Sequence, residues 1–369
     1  MNKLSTDIIT FAGANNTSAY EKFADYYKHF SAEVLKKNIG SYDTAVSFSE
    51  KETKMNEAML SEIERVSGQK MPEGMTAEMW ASNPNFKWAS FAVVTMMIET
   101  ILPLTIMDSI GLYTDMRFVG WGDVPLFDVP TKALPLVSKG ANAQRTTLIQ
   151  KFYRGNATVQ VVNHVITTSV DLYRVLAGRD SLAEFARRCV IAIETDMTRE
   201  AYTTIVNGLT GVSAPTNLNI SGVFDMERLI KLCQTVGAYN FGMKPVIAGT
   251  TIGLMKVLPD SAAGYRLNAD ANGPRINLIR TAYDYDFMVL PQVATPDYTN
   301  YGLALDDNLL MVISPAADKL VRAVIEGSTL TNSNDYYENA DLTSNFTINK
   351  RYGFSYLSGA IAGAYKITG

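Results

Sequence analysis

Two histidines (His29, His164), two cysteines (Cys189, Cys233) and two close carboxylate pairs (Asp284/Asp286, Asp306/Asp307) are the residues of this 369-residue chain best suited to chemistry. A histidine between a carboxylate and a hydroxyl would make a hydrolase; histidines and cysteines at short spacing would hold zinc; paired carboxylates would serve acid–base catalysis. The histidines lie 135 positions apart with no Cys or Asp at ligand spacing, so zinc has no support. We expect His29 on a helix surface and His164 on a β-ribbon. No Gly-x-Ser-x-Gly elbow occurs; Gly249-Thr250-Thr251-Ile252-Gly253 has its spacing but reads as a strand-to-helix turn with a threonine cap. Phosphate-cradling glycine loops are missing too. Asn268 to Gly273 imitates the first half of a calcium loop, but position twelve would be Ile279 where a bidentate glutamate is needed, so an exposed turn is expected. The cysteines sit in apolar, helix-like patterns and read as reduced core thiols. Neighbouring carboxylates on a strand or turn point in different directions, so the acidic pairs read as surface. The expectation is therefore no catalytic residue, no cofactor, no metal and no enzyme.

Hydrophobic residues make up 47% and charged residues 19%, which is ordinary for a globular chain and excludes disorder or a disulfide scaffold. The net charge of −4 does not favour general adhesion to nucleic acid or anionic membrane. The opening residues lack an apolar signal core, and the longest apolar run, Phe91 to Met107, is broken by Glu99 and Pro103, so no secretion signal or membrane span is expected.

The elements that would position these residues can be read in order. Apolar residues at helical spacing across 20–68 (Phe23, Tyr26, Tyr27, Phe30, Val34) predict a loosely organised helical region. Trp88 to Ile110 predicts a further helix, kinked or ended at Pro103. Thr146–Tyr153 and Thr158–Val170 are β-rich and flank Arg154-Gly155-Asn156, which predicts a hairpin within an extended two-stranded ribbon. Ser181-x-x-Glu184 is a capping box opening a long helix with an apolar stripe through Leu182, Ala186, Cys189, Ile193, Met197, Ala201 and Ile205, stopped by Asn207-Gly208. That stripe requires a sheet to cover it. Helices follow at Phe224–Thr235 and Thr250–Leu258, with strands at Pro245–Ala248, Phe287–Leu290, Gly302–Leu305, Leu309–Ile313, Lys319–Glu326, Asn345–Arg351 and Phe354–Tyr365. Helix and strand mix without strict alternation, so the class is α+β.

Charge is distributed unevenly. Residues 129–170 hold no acid but carry Lys132, Lys139, Arg145, Lys151 and Arg154, whereas residues 284–346 hold ten acids, among them Asp306, Asp307, Glu326, Asp335 and Glu338, against Lys319 and Arg322. Contact between the basic ribbon and the acidic segment of another copy is the reading this split favours. Phe152 and Tyr153 beside Lys151 and Arg154 offer an alternative, a stacking platform for nucleic acid.

The order of elements, with Phe241 to Ala248, Thr250–Leu258, Gly264-Tyr265, Tyr285 to Val293, Gly302 to Asp307, Lys350 to Phe354 and Ala360–Ile367, resembles the major capsid proteins of tailed bacteriophages. These have the Hong Kong 97-like capsid fold. The resemblance implies a helical N-terminal arm (1–117), an extended β-ribbon or E-loop (118–170), and a peripheral domain (171–220 and 309–369) around a spine helix (181–208). An axial domain (221–308) completes it. It implies self-assembly, through pentamers and hexamers, into an icosahedral shell enclosing a double-stranded DNA genome. Scaffolding protein, portal and packaged DNA would be partners, with no membrane. The chain would reside in the virion capsid, and in host cytoplasm during assembly. An encapsulin-type nanocompartment shell is the alternative, and an enzyme with an unrecognised carboxylate site a remoter one.

Overall fold

The computed structural model describes residues 17–37, 39–72, 79, 83–130, 154–170, 181–211, 215–257, 267–270, 273–276, 281–282, 284–295, 300–315, 318–333 and 344–368. Three helices come first: α1 (Thr17–Glu33), α2 (Phe48–Ser67) and α3 (Pro84–Ile110). Ser47 caps α2 by accepting from the Glu50 N–H, and Gly68 closes it in the left-handed region at φ 68°. α3 is apolar enough, by length and composition, to cross a membrane, but it packs in the core through Val93, Val94, Met97, Ile98, Ile101, Leu102 and Ile106. α3 continues through Pro103, so the proline does not end it. Instead of a loose arm, α1–α3 share one apolar core with the spine helix: Phe23, Tyr27, Met55, Met59 and Ile63 join Ala186, Cys189, Val190 and Ile193.

The spine helix α4 (Leu182–Thr210) opens as expected, with Ser181 Oγ accepting from Glu184 N–H at 3.2 Å. The hydroxyl donates in turn to Asn56 Oδ1 at 2.9 Å, so α2 buttresses the cap. Twenty-nine residues span about 44 Å. The expected stop at Asn207-Gly208 is not used. Gly208 lies inside α4 because a Cβ there would overlap the Tyr356 ring, so its role is close approach to a strand.

Two main sheets flank the spine. The first has four strands in the order β1-β12-β13-β4: β1 (Thr114–Val119), β12 (Val321–Ser333), β13 (Ser344–Tyr356) and β4 (Val162–Val170). β12 and β13 run longer than expected, and the register of their hairpin shifts between Glu326 and Leu330, a β-bulge. The second sheet has the order β5-β14-β11-β6-β10-β9, from β5 (Asn219–Gly222), β6 (Val246–Gly249), β9 (Thr281–Ala282), β10 (Tyr285–Val289), β11 (Leu309–Ile313) and β14 (Gly363–Ile367). Helices α5 (Met226–Tyr239) and α6 (Thr251–Val257) cover its outer face through Leu229, Leu232, Cys233, Val236, Leu254 and Val257. Thr250 Oγ1 accepts from Gly253 N–H, which is the expected threonine cap. Strand β7 (Leu267–Asp270) pairs with β8 (Gly273–Ile276), and Leu303 forms only an isolated bridge to Ala294 where a strand was expected.

The ribbon differs from expectation in its pairing. Arg154-Gly155-Asn156 is no turn: it opens strand β3 (Arg154–Thr158), which pairs antiparallel with β2 (Leu126–Pro130). The expected second hairpin strand, β4, instead joins the four-stranded sheet against β13. β-propensity identified β4; the other expected strand, Thr146–Tyr153, lies outside the described residues, and partner choice depends on contacts distant in sequence.

Candidate assembly surfaces

Strict alternation on β13 divides its residues between two environments. Phe346, Ile348, Lys350 and Tyr352 point inward and are buried, whereas Asn345, Thr347, Asn349 and Arg351 point outward. The register sets Thr347 against Thr167 and Asn332, and Asn349 against Val165 and Leu330, on the same open face. Asn163 Nδ2 donates to Asn349 Oδ1 at 3.4 Å, and the Thr167 and Thr347 hydroxyls are 3.2 Å apart. The result is a surface of amides, hydroxyls and two apolar side chains, with Arg351 its only charge among these residues. The alternation of Asn345 to Arg351 is the sequence signal that could have revealed it.

Beside this face stands the root of the ribbon. Phe127 and Val159 pack on Val324 of β12, and the Arg117 guanidinium lies 4.2 Å from the Phe127 ring centre while donating to Leu126 O at 2.8 Å. Val124, Leu126 and Val162 are exposed around it.

The charged residues singled out in the sequence are dispersed. Lys132, Lys139, Arg145, Lys151, Asp335 and Glu338 lie outside the described residues, as do Phe152 and Tyr153. Arg154 stands in register with Pro130. Glu326 is buried, accepting from Gly122 N–H at 2.7 Å and paired with Arg351 at 3.2 Å. Asp307 accepts from Thr250 Oγ1 at 2.6 Å and Gln292 Nε2 at 2.9 Å. Asp306 is exposed, 3.7 Å from Lys366. Asp284 and Asp286 are exposed and share Lys244, at 3.2 and 3.9 Å. Burial by itself would raise the Asp318 carboxyl, but the Gly359 N–H and Arg322 outweigh it and hold the group below its usual value. Within the acidic segment Glu326 is thus paired inside the subunit with Arg351, whereas Asp284 and Asp286 share one lysine and, like Asp306, stay exposed to solvent.

The candidate chemical groups are engaged structurally. His29 is buried rather than on a surface: its ring stacks on Tyr42 and Nε2 lies 2.9 Å from Glu33. His164 Nδ1 meets Asp196 of the spine at 2.9 Å and its ring stacks on Tyr352 at 3.8 Å, while Asp196 also accepts from Tyr352 Oη. This resembles half of a catalytic triad, but among the described residues no hydroxyl or thiol hydrogen-bonds to His164. Burial pushes both cysteine thiols up to about 12, leaving them un-ionised at neutral pH. Among the described residues no cluster of three His, Cys, Asp or Glu side chains could hold a metal.

The spine helix thus lies between two sheets, with one sheet face and a ribbon root turned outward. The chain matches the family described as "SPbeta prophage-derived putative capsid protein YonB" over residues 34–366, and it belongs to that family. It is a phage capsid protein, and membership implies assembly with other capsid subunits into a virion shell. Similar solved chains include one titled as the asymmetric unit of the bacteriophage PhiM1 mature capsid. It is 12% identical, with TM-score 0.47 over 69% of this chain and 86% of that one. Another is the capsid of cyanophage P-SCSP1u, 13% identical, with TM-score 0.44 over 70% and 86%. A third, from Mycobacterium phage Bobi, is 13% identical, with TM-score 0.42 over 72% and 90%. Among curated proteins no significant match is found.

Proposed function

We propose that this major capsid protein builds an icosahedral shell of pentamers and hexamers around double-stranded DNA, with each ribbon lying over the open sheet face of a neighbouring subunit. The observation that carries this reading is the outward face of β4, β13 and β12, which is long and nearly uncharged beside an exposed apolar ribbon root. An uncharged face removes little charge from water when covered, so repeated small contacts can add up. On this reading the region before the ribbon (1–117) remains with the subunit as a packed helical layer. The spine with 309–369 forms the peripheral domain, and 221–308 the axial domain. Lys132, Lys139, Arg145, Lys151 and Arg154 make the rim contacts. Asp306, Asp335 and Glu338 are their acidic partners, joined by exposed Asp284 and Asp286, while Asp307 and Glu326 act inside the subunit. Scaffolding protein and portal would be partners during assembly in the host cytoplasm, and the chain would work without catalysis. The family match to a capsid protein does not favour a nanocompartment shell.

The test is size-exclusion chromatography of the purified chain followed by negative-stain microscopy of the void fraction. Shells, or rings of five and six, are the expected result. Replacing Lys132, Lys139 and Lys151 by Glu should abolish shells while leaving a folded subunit by circular dichroism. Unchanged shells from that variant would overturn the ribbon contact, and a chain that never assembles would overturn the shell.

A further inference from the structure

The bulge in β12 gathers more polar contacts than any geometric irregularity requires. Gly327 stands in the left-handed region at φ 60°, and residues 327–329 fall outside the ladder to β13. From the inner side, Glu99 of the largely apolar α3 reaches into the gap. Its Oε1 accepts from the Thr329 N–H at 2.5 Å, from the Thr329 hydroxyl, and from buried Lys350 Nζ at 2.6 Å. Lys350 also donates to Gly327 O at 3.0 Å. From the outer side, Glu326 takes the Gly122 N–H and Arg351. The Trp121 indole lies over Gly327 where a Cβ would stand. Lys350 and Arg351 are consecutive, so a strand turns them to opposite faces and each neutralises one carboxylate. Trp121 and Gly122 sit in the turn that feeds β2, the root of the ribbon.

We propose that this bulge is a joint through which the helical layer sets the direction of the ribbon. The physical reason is the Thr329 amide. With Glu99 present its N–H is satisfied away from the ladder, and the extra residues stay out of register. Without that acceptor a buried N–H must find another partner, and the nearest are on β13. Sliding β12 to reach them moves Glu326 and Gly327, and with them the seats of Gly122 and Trp121. Glu99 is only partly withdrawn from water, but the Lys350 ammonium and the Thr329 amide that it satisfies are buried, and each would be costly without a partner. The importance of ribbon direction for a shell rests on the function proposed above; the joint itself is a property of the single subunit.

The experiment is hydrogen–deuterium exchange on the full chain, read by mass spectrometry, so it does not depend on assembly. Glu99→Ala should raise exchange about tenfold or more both at 326–333 and at 119–127, because local opening would extend to the ribbon root. Glu99→Gln, which keeps an acceptor for Thr329 but removes the charge facing Lys350, should give a smaller rise at both segments. Coupling is reciprocal, so Trp121→Ala should raise exchange at 326–333. Asn56→Ala, which breaks a helical-layer contact at the spine cap instead, should leave both segments unchanged. A rise at 326–333 alone in the Glu99 variants, or no rise there in Trp121→Ala, overturns the joint. Should Glu99→Ala not fold, Glu99→Gln and Trp121→Ala decide the question. Microscopy of assembled particles tests the shell separately.

Discussion

β11 and β13 are both inner strands of their sheets, yet they are built in opposite ways. In β11 every residue is buried: Leu309, Met311 and Ile313 face the spine helix and its core, while Leu310 and Val312 face the core under α5 and α6. In β13 from Asn345 to Tyr352 only alternate residues are buried, and the others form the amide-and-hydroxyl face. A sheet covered on both sides demands a continuous apolar strand, and a sheet covered on one side demands alternation. The difference shows which sheet the subunit completes by itself and which it leaves for another surface.

The contrast can be broken at graded cost. Leu310→Ala should be the most damaging, lowering stability by about 2–5 kcal/mol in urea unfolding, since no face of β11 can relax into solvent. A loss below that range would mean that the second core is loose. Gly208→Ala, which drives a methyl group into Tyr356 on the covered side of β13, should cost about 1–3 kcal/mol by the same measurement. A neutral result would show that the spine can shift away from the sheet. Thr347→Glu on the open face should change subunit stability by no more than about 0.5 kcal/mol, while particle yield by microscopy collapses. Normal particles from that variant would mean that the face stays in water after assembly.

Strand β11 was legible to the residue, because an apolar run bounded by turn residues carries its own signal. The spine cap at Ser181 was legible for a similar reason: side chain and amide lie three residues apart. The far end of the same helix was not. Asn207-Gly208 has the composition of a stop, yet Gly208 answers to a tyrosine 148 positions later. The ribbon failed likewise, since Arg154-Gly155-Asn156 suits a turn locally and its true partner is β2. The open face of β13 was not picked out from the sequence, although the alternation from Asn345 to Arg351 is visible there. Summing charge over 284–346 set only Lys319 and Arg322 against the acids, although Arg351, beyond that span, pairs with Glu326 within the subunit. Glu326 had been read as interface and stands instead beneath the ribbon root.

By itself the sequence determined the mixed class, the order of elements, the capped spine, the apolar β11 and the lack of recognisable catalytic spacing. All of these rest on interactions spanning a few residues, where period and capping chemistry leave one low-energy choice. Only the tertiary structure decided that the first three helices belong to the core, that β4 joins β13, that Glu99 fills a bulge more than two hundred residues away, and which charges remain free. Those outcomes depend on which distant groups meet, and a buried amide or carboxylate takes whatever partner the packed chain brings within about 3 Å.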